Sequence, residues 1–475
     1  MKAIDCQGLG GGFTLGVKLS GIDIVSKHEQ PGGFGFDQVN ENRHLLGDFP
    51  LDDAPAAEWT VDEAPYVFGC PPCSGFSSMS IRAGGEDKRG REAAINGCMW
   101  DWIRYVAKVR PLIATMESVP AAAKDREKGG LLLMRALQQE LMDLTGHGWY
   151  LTLLHHNSLS VGGPSQRPRV FMVFSQQPFG ITTPRPSKLP VLRDVLGDLE
   201  PLPLQWEEQP RLVVPSWWAE RKVDTEFVNG HIIAGDGRRK DDRIAGLHEV
   251  GLPEGSGLTK ACEAYWTATG GEWDRETGQI ITDGQFPPGY DDREKQRILY
   301  RPAEKALDAT LIREGRMTNA EYNEKWGRKI DATTFPRPFI TSMYETIRWS
   351  WEKPARVLHG GGLHASIHPT QPRTFTYREA ARIMGFPDSW NLEAYKGHEP
   401  VFGKAVTVDV AFWLGHMVQQ HLDGLSTERR DDLWYGEDSD GGYLETTIDC
   451  SRDWQALEDS KSGERKRKEL EGRPA

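Results

Sequence analysis

The chain has 475 residues, 27% of them charged and 38% hydrophobic, with a formal net charge of −12. That length suits two or three domains with well-buried cores, and no run of about 18 apolar residues marks a membrane span. The acidic balance speaks only weakly against a nucleic-acid partner, because phosphate binding relies on local Lys and Arg in one cleft. The chain enters directly on Met1-Lys2-Ala3-Ile4-Asp5, without the charged and apolar regions of a secretory signal, so a cytoplasmic location is expected.

Residues 1–178 alternate short apolar runs with helical stretches, which predicts a parallel α/β sheet. Ala3-Ile4-Asp5 ends in a glycine-rich turn, and Ile22-Asp23-Ile24-Val25 leads to Glu29. Tyr66-Val67-Phe68-Gly69 precedes a Pro-Pro-Cys segment, and Leu112-Ile113-Ala114-Thr115-Met116 ends at Glu117. Each residue of chemical interest falls at the carboxyl end of a strand, where open α/β sheets bind ligands. Between the strands, Trp100, Ile103, Val106 and Val109 recur at helical spacing before Pro111, as do Leu132, Met134, Leu137, Leu141 and Leu144 before Gly146. Both stripes read as core packing.

Residues 179–367 are rich in Pro, Gly and Trp and lack a βα rhythm, so they form a separate domain or a large insertion. Residues 368–425 return to helical patterning. Residues 426–475 turn acidic and then basic at Arg465-Lys466-Arg467-Lys468, a solvated and partly disordered tail. The six cysteines include one close pair, Cys70-Pro71-Pro72-Cys73. With no second such pair and no His pair at ligand spacing, neither a disulfide framework nor a metal site is expected.

Four segments carry chemistry. Asp5-Cys6-Gln7-Gly8-Leu9-Gly10-Gly11-Gly12-Phe13 is a strand end followed by a glycine turn that opens a helix, which lets backbone approach a nucleotide-like ligand. Glu29 stands 24 positions beyond Asp5, the usual place for an acid that grips ribose hydroxyls. Asp48 could accept from an adenine amino group. Taken singly, each carboxylate reads equally well as a solvated loop acid. In Gly69-Cys70-Pro71-Pro72-Cys73-Ser74-Gly75-Phe76-Ser77 the prolines stiffen a loop after a strand and present one thiol, Cys73, as a nucleophile. Glu117-Ser118-Val119-Pro120 ends the next strand. Arg167 and Arg169, two apart in Gly162-Gly163-Pro164-Ser165-Gln166-Arg167-Pro168-Arg169, share a face.

In this order the segments resemble the DNA cytosine-5 methyltransferase family, together with Arg373-Thr374-Phe375-Thr376-Tyr377-Arg378-Glu379-Ala380-Ala381-Arg382 and Gly403-Lys404-Ala405-Val406. The resemblance covers residues 3–175 and 368–420. It implies a Rossmann-like S-adenosylmethionine-dependent methyltransferase sheet with an inserted target-recognition domain, acting on double-stranded DNA as a monomer in the cytoplasm of a bacterial or phage-infected cell. It further implies that Cys73 adds to carbon 6 of a flipped cytosine, that Glu117 hydrogen-bonds the ring, and that Arg169 holds the exocyclic carbonyl while Arg167 supports the loop or a phosphate. Asp5, Gly8, Gly10, Gly11, Gly12, Phe13, Glu29, Asp48, Pro71, Lys404, Ala405 and Val406 would line the cofactor site. Ser77, Arg238, Arg239 and Lys240 would contact DNA, the basic triplet reading also as a solvated loop among its acidic neighbours.

The sequence departs from the family pattern at Gln7, Leu9, Ser118, Ser165 and Lys404. Lys404 stands where an Asn is usual, beside the transferred carbon. A cation there suits carboxy-S-adenosylmethionine, whose transferred group is anionic, so carboxymethyl transfer is the alternative to methylation. A tRNA cytosine-5 enzyme is a second alternative, against which stands the long insertion between Arg169 and Arg373.

Overall fold

The computed structural model describes residues 1–29, 35–52, 64–72, 97–124, 132–180, 189–199, 246–247, 249–251, 255–326, 339, 346–358, 363, 366–371, 373–395, 398, 400–424, 435–438 and 445–449. The amino-terminal part runs β1 (Lys2–Cys6), α1 (Gly12–Leu19), β2 (Asp23–His28), β3 (Leu51–Asp52), β4 (Tyr66–Gly69), α2 (Gly97–Val109), β5 (Ile113–Ser118), α3 (Leu133–Thr145), β6 (Tyr150–Asn157) and β7 (Pro168–Ser175). After the insertion come α4 (Tyr377–Ile383), α5 (Pro400–Lys404), α6 (Val408–Leu422), β8 (Tyr435–Asp438) and β9 (Glu445–Asp449).

These strands make one sheet in the order β8-β9-β6-β7-β5-β4-β1-β2-β3. The pairs from β3 through β5 are parallel, whereas β7 is antiparallel to both β5 and β6. The reversal follows from chain length: only a short connection joins β6 to β7, and a parallel pair needs a crossover of a dozen residues or more. Every residue of β4 and β5 is buried, as expected of strands covered on both faces. The chain runs outward from β1 to β2 and β3 on one side and to β4 and β5 on the other. Its switch point therefore lies at the carboxyl ends of β1 and β4.

Two cores clothe the sheet. On one face α1 and α6 bring Phe13, Val17, Leu414 and Val418 against Phe68 and Phe171. On the other, α2 and α3 bring Trp102, Val106, Leu137 and Leu141 against Ile4, Val67 and Met172. Val106, Leu137 and Leu141 belong to the apolar stripes read from the sequence, whereas Trp102 was not among them and Leu144, which was, is exposed. A third core, with Leu258, Cys262, Trp266, Ile298, Leu299 and Phe339, belongs to the insertion. Trp266 is wholly buried there.

Two boundaries differ from the sequence reading. Phe179, Leu192, Leu196, Trp349, Ala355, Leu358 and Leu363 pack into the first core, so both flanks of the 179–367 region share the core of the sheet domain. The stretch 426–475 is also more than a solvated tail, because β9 pairs in parallel with β6 and β8 pairs with β9. The β-branched run Thr446-Thr447-Ile448 suits a strand, and the acidic composition around it hides that signal. No helix among the described residues is long and apolar enough to cross a membrane. No group of His, Cys, Asp and Glu among them could hold a metal ion.

His156, on β6, is wholly enclosed, with its ring centroid 4.5 Å from that of Trp413 on α6. Burial lowers its pKa from 6.5 to about 3, so the folded protein keeps it neutral while the unfolded chain protonates it near 6.5. Stability is then lost as pH falls from about 6.5 towards 3, at a slope approaching 1.4 kcal/mol per pH unit from this one group. Urea denaturation across that range should show the slope, and His156→Gln should flatten it.

Candidate active site

The glycine turn is shaped by three elements. Gly10 and Gly11 take φ values of +72° and +82°, and the non-glycine residues Gln7 and Leu9 also have positive φ, +68° and +38°. Residues with a Cβ avoid this region, so the turn must be held from outside. The Gln7 N–H donates to the His28 carbonyl at 2.9 Å, the Leu9 N–H donates to Glu29 Oε1 at 2.7 Å, and the Tyr395 hydroxyl donates to the Gly10 carbonyl at 2.6 Å. The Cys70 N–H donates to the Gln7 carbonyl at 2.9 Å, which ties the turn to the start of the Pro-Pro-Cys loop.

Residues nearly four hundred positions away close over the turn. A Cβ on Gly10 would lie 2.7 Å from Val401 Cγ1, one on Gly11 2.6 Å from the Trp390 ring, and one on Gly12 2.1 Å from the Val406 carbonyl oxygen. Ala405 and Val406 are accordingly buried. Lys404, the last residue of α5, is half-buried, and desolvation lowers its pKa. Beneath the turn the Asp5 carboxylate packs directly on Gly8. Its Oδ2 accepts the Thr14 hydroxyl at 2.6 Å and the Lys27 ammonium at 2.7 Å.

The second half of the site lies at the ends of β4, β5 and β7. Glu117 is 1% exposed. The Cys70 thiol donates to its Oε2 at 2.7 Å, and Arg169 Nε stands 2.6 Å from its Oε1. Register explains the meeting: β5 lies between β4 and β7, so the end of each neighbour reaches a Glu at its tip. A carboxyl group this enclosed needs such partners to satisfy its oxygens. Arg167 and Arg169 line the same small cavity, with His156, Phe171 and Thr407.

A family profile described as C-5 cytosine-specific DNA methylase matches residues 1–248 and 260–420. The chain belongs to this family. Among curated relatives, the type II methyltransferase M.XorII of Xanthomonas oryzae is 21% identical over 414 residues, covering 83% of this chain and 78% of that protein. The type II methyltransferase M.DdeI of Desulfomicrobium norvegicum is 24% identical over 441 residues, covering 89% and 85%. Among solved structures, the Dnmt2 methyltransferase of S. pombe is 13% identical, with 89% of this chain and 99% of that chain covered and a TM-score of 0.39.

For a C-5 cytosine-specific DNA methylase, the structure brings Asp5, Gly8, Gly10, Gly11, Gly12, Glu29, Pro71, Lys404, Ala405 and Val406 to one end of the sheet, with Glu117 and Arg169 beside them. Three expected site residues are placed differently. Phe13 is wholly buried, its ring centroid 4.7 Å from that of Phe68 and 5.9 Å from that of Phe171; as the second residue of α1 it packs on the sheet and has no face for a cofactor. Asp48 is fully exposed and paired with Arg43 at 3.3 Å, directed to solvent. Arg167 is 2% exposed and donates to the carbonyls of Leu358 at 3.3 Å and Gly403 at 2.8 Å. It fastens the far flank of the insertion and α5 to the strand, and does not reach a phosphate. Cys73, Ser77, Arg238, Arg239 and Lys240 lie outside the described residues.

Sequence reading missed Lys27, Cys70 as a partner of Glu117, and Tyr395. Lys27 carried only a weak signal, a lysine two residues before the acid expected at the end of its strand. Tyr395 carried none.

Gly12→Ala should push the 405–407 segment off the turn and destabilise the fold by roughly 1–3 kcal/mol. Gly97→Ala is the control, because a Cβ there meets nothing within 4 Å among the described residues. Urea denaturation of the two variants should separate them clearly.

Proposed function

We propose that this enzyme modifies carbon 5 of a cytosine in duplex DNA, with Cys73 as nucleophile and S-adenosylmethionine as cofactor. The observation that carries the reading is Glu117, buried at a strand tip between the Arg169 guanidinium and the thiol of Cys70, the residue that begins the segment leading to Cys73. The turn suits an S-adenosyl nucleoside. Its glycines leave backbone bare, and Asp5 Oδ1 and Gln7 Oε1 are buried oxygens with no hydrogen-bond partner among the described residues, ready for a ligand's N–H or O–H groups. Asp5, Gln7, Gly10, Gly11 and Glu29 would hold it.

The target cytosine must leave the stack to enter this pocket, at a cost of a few kcal/mol. The Cys73 thiolate adds to carbon 6, and its electron pair moves through the ring to make carbon 5 nucleophilic. Glu117 hydrogen-bonds the ring nitrogen and exocyclic amine and so stabilises the charge that develops. Arg169 keeps Glu117 in place and has further N–H groups for the exocyclic carbonyl oxygen. S-adenosylmethionine, when bound, supplies the electrophilic carbon. A base then takes the proton from carbon 5, the bond from Cys73 to carbon 6 breaks, and the thiolate is regenerated.

Cys73→Ser should abolish turnover while DNA affinity stays close to that of the parent. Duplex carrying 5-fluorocytosine should form a covalent adduct at Cys73, detectable by intact-mass spectrometry. If active enzyme gives no adduct, the nucleophile assignment fails.

Lys404 favours a second reading, transfer of a carboxymethyl group from carboxy-S-adenosylmethionine. Its ammonium is half withdrawn from water next to residues packed on the cofactor turn. An anionic group there would form a charge-assisted hydrogen bond of roughly 1.5–3 kcal/mol. With both cofactors at equal concentration, nucleoside mass spectrometry should detect 5-carboxymethylcytosine, and Lys404→Asn should shift the product towards 5-methylcytosine. Methyl transfer alone, or an unchanged product ratio in the variant, rules this reading out.

A further inference from the structure

Lys27, next to the glycine turn, carries an ammonium group although its side chain lies wholly inside the protein. It sits on β2, with its side chain 0% exposed. Nζ is 2.7 Å from Asp5 Oδ2 and 3.0 Å from Glu29 Oε1. The same Glu29 oxygen accepts the Leu9 N–H. One ammonium therefore links the tip of β1, the residue just beyond β2, and the middle of the glycine turn.

The arrangement has a physical cost and a geometric return. Desolvating a lysine costs several kcal/mol unless its partners are close and well placed. Without it, Asp5 and Glu29 would face each other as two buried carboxylates within about 6 Å, and one would take up a proton. The ammonium engages one oxygen of each acid, so that each carboxylate plane is set. Leu9, in a left-handed conformation, is held by the acid that Lys27 orients. Burial and the neighbouring Asp5 favour the protonated form of Glu29, and Lys27 opposes them.

We propose that Lys27 is a positioning residue for the cofactor, fixing Glu29 and the Leu9 peptide so that the turn and the ribose-gripping acid present one preformed surface. This rests on the reading of the turn as the site for an S-adenosyl nucleoside. Lys27 touches no ligand itself and acts through Glu29. Two effects follow. Affinity for the nucleoside depends on Lys27, and so does discrimination at the ribose hydroxyls.

The test is titration calorimetry of the full-length protein with S-adenosylhomocysteine and with its 2′-deoxyribose analogue. Lys27→Met should weaken S-adenosylhomocysteine binding by about tenfold or more and shrink the preference for the ribose form by about fivefold. A purely structural role predicts equal losses for both ligands. Since Lys27→Met leaves two buried acids facing each other, the double variant Asp5→Asn with Lys27→Met is measured as well. It should recover melting temperature relative to Lys27→Met while keeping the lost ribose preference. Parent-like affinity and preference in either variant overturn the proposal, as does a double variant that regains both along with stability. Parent protein that takes up no S-adenosylhomocysteine overturns the cofactor reading itself, and this inference with it.

Discussion

The bare Cα of Gly12 is the point on which the catalytic half turns. The Val406 carbonyl stands where a Cβ would be, so the glycine turn and the α5–α6 junction meet backbone to backbone. That approach lets Trp390, Tyr395 and Ala405 wall the turn, and it sets α6 against α1 across one face of the sheet. The cofactor-side surface is thus made by two segments at opposite ends of the matched family region. Neither makes it alone.

Charge follows the same logic. Both acids of greatest chemical interest sit at strand tips, where the ends of neighbouring strands converge, and both are out of water. Glu29 is met by Lys27, and Glu117 by Arg169 and Cys70. Partners at these distances satisfy the buried carboxyl oxygens and restrict their orientation. The sheet order delivers the partners of Glu117, because β5 lies between β4 and β7, while Lys27 comes from the strand that leads to Glu29 and reaches Asp5 on neighbouring β1. Topology here governs electrostatics as well as shape.

Much of this was legible in the residues. The strands, the glycine turn and the acid ending β5 each announce themselves locally, by an apolar run of strand length followed by a turn or breaker. The α2 and α3 stripes were equally plain. What escaped depends on contacts distant in sequence. Phe13 looks like a turn residue until α1 rotates it onto Phe68. Asp48 and Glu29 look alike as loop acids until packing sends one to solvent and the other inward. The flanks of the insertion hide their membership of the main core because Trp349, Leu358 and Leu363 follow no period, and β9 lies in a stretch whose charge suggests solvent. Lys27 was visible but needed both acids in place before it meant anything.

The closure of the turn by residues 390–406 also bears on how the protein comes into being. A chain made from its amino terminus exposes β1, α1 and the glycine turn long before Trp390, Tyr395 and Val406 exist. Until those residues leave the ribosome, Gln7 and Leu9 lack part of the support for their left-handed backbone, and the apolar face of α1 has no α6 to cover it. Contacts of such sequence separation form late and slowly. The nascent amino-terminal half therefore passes through a period in which the apolar face of α1 is uncovered and the glycine turn is unfinished.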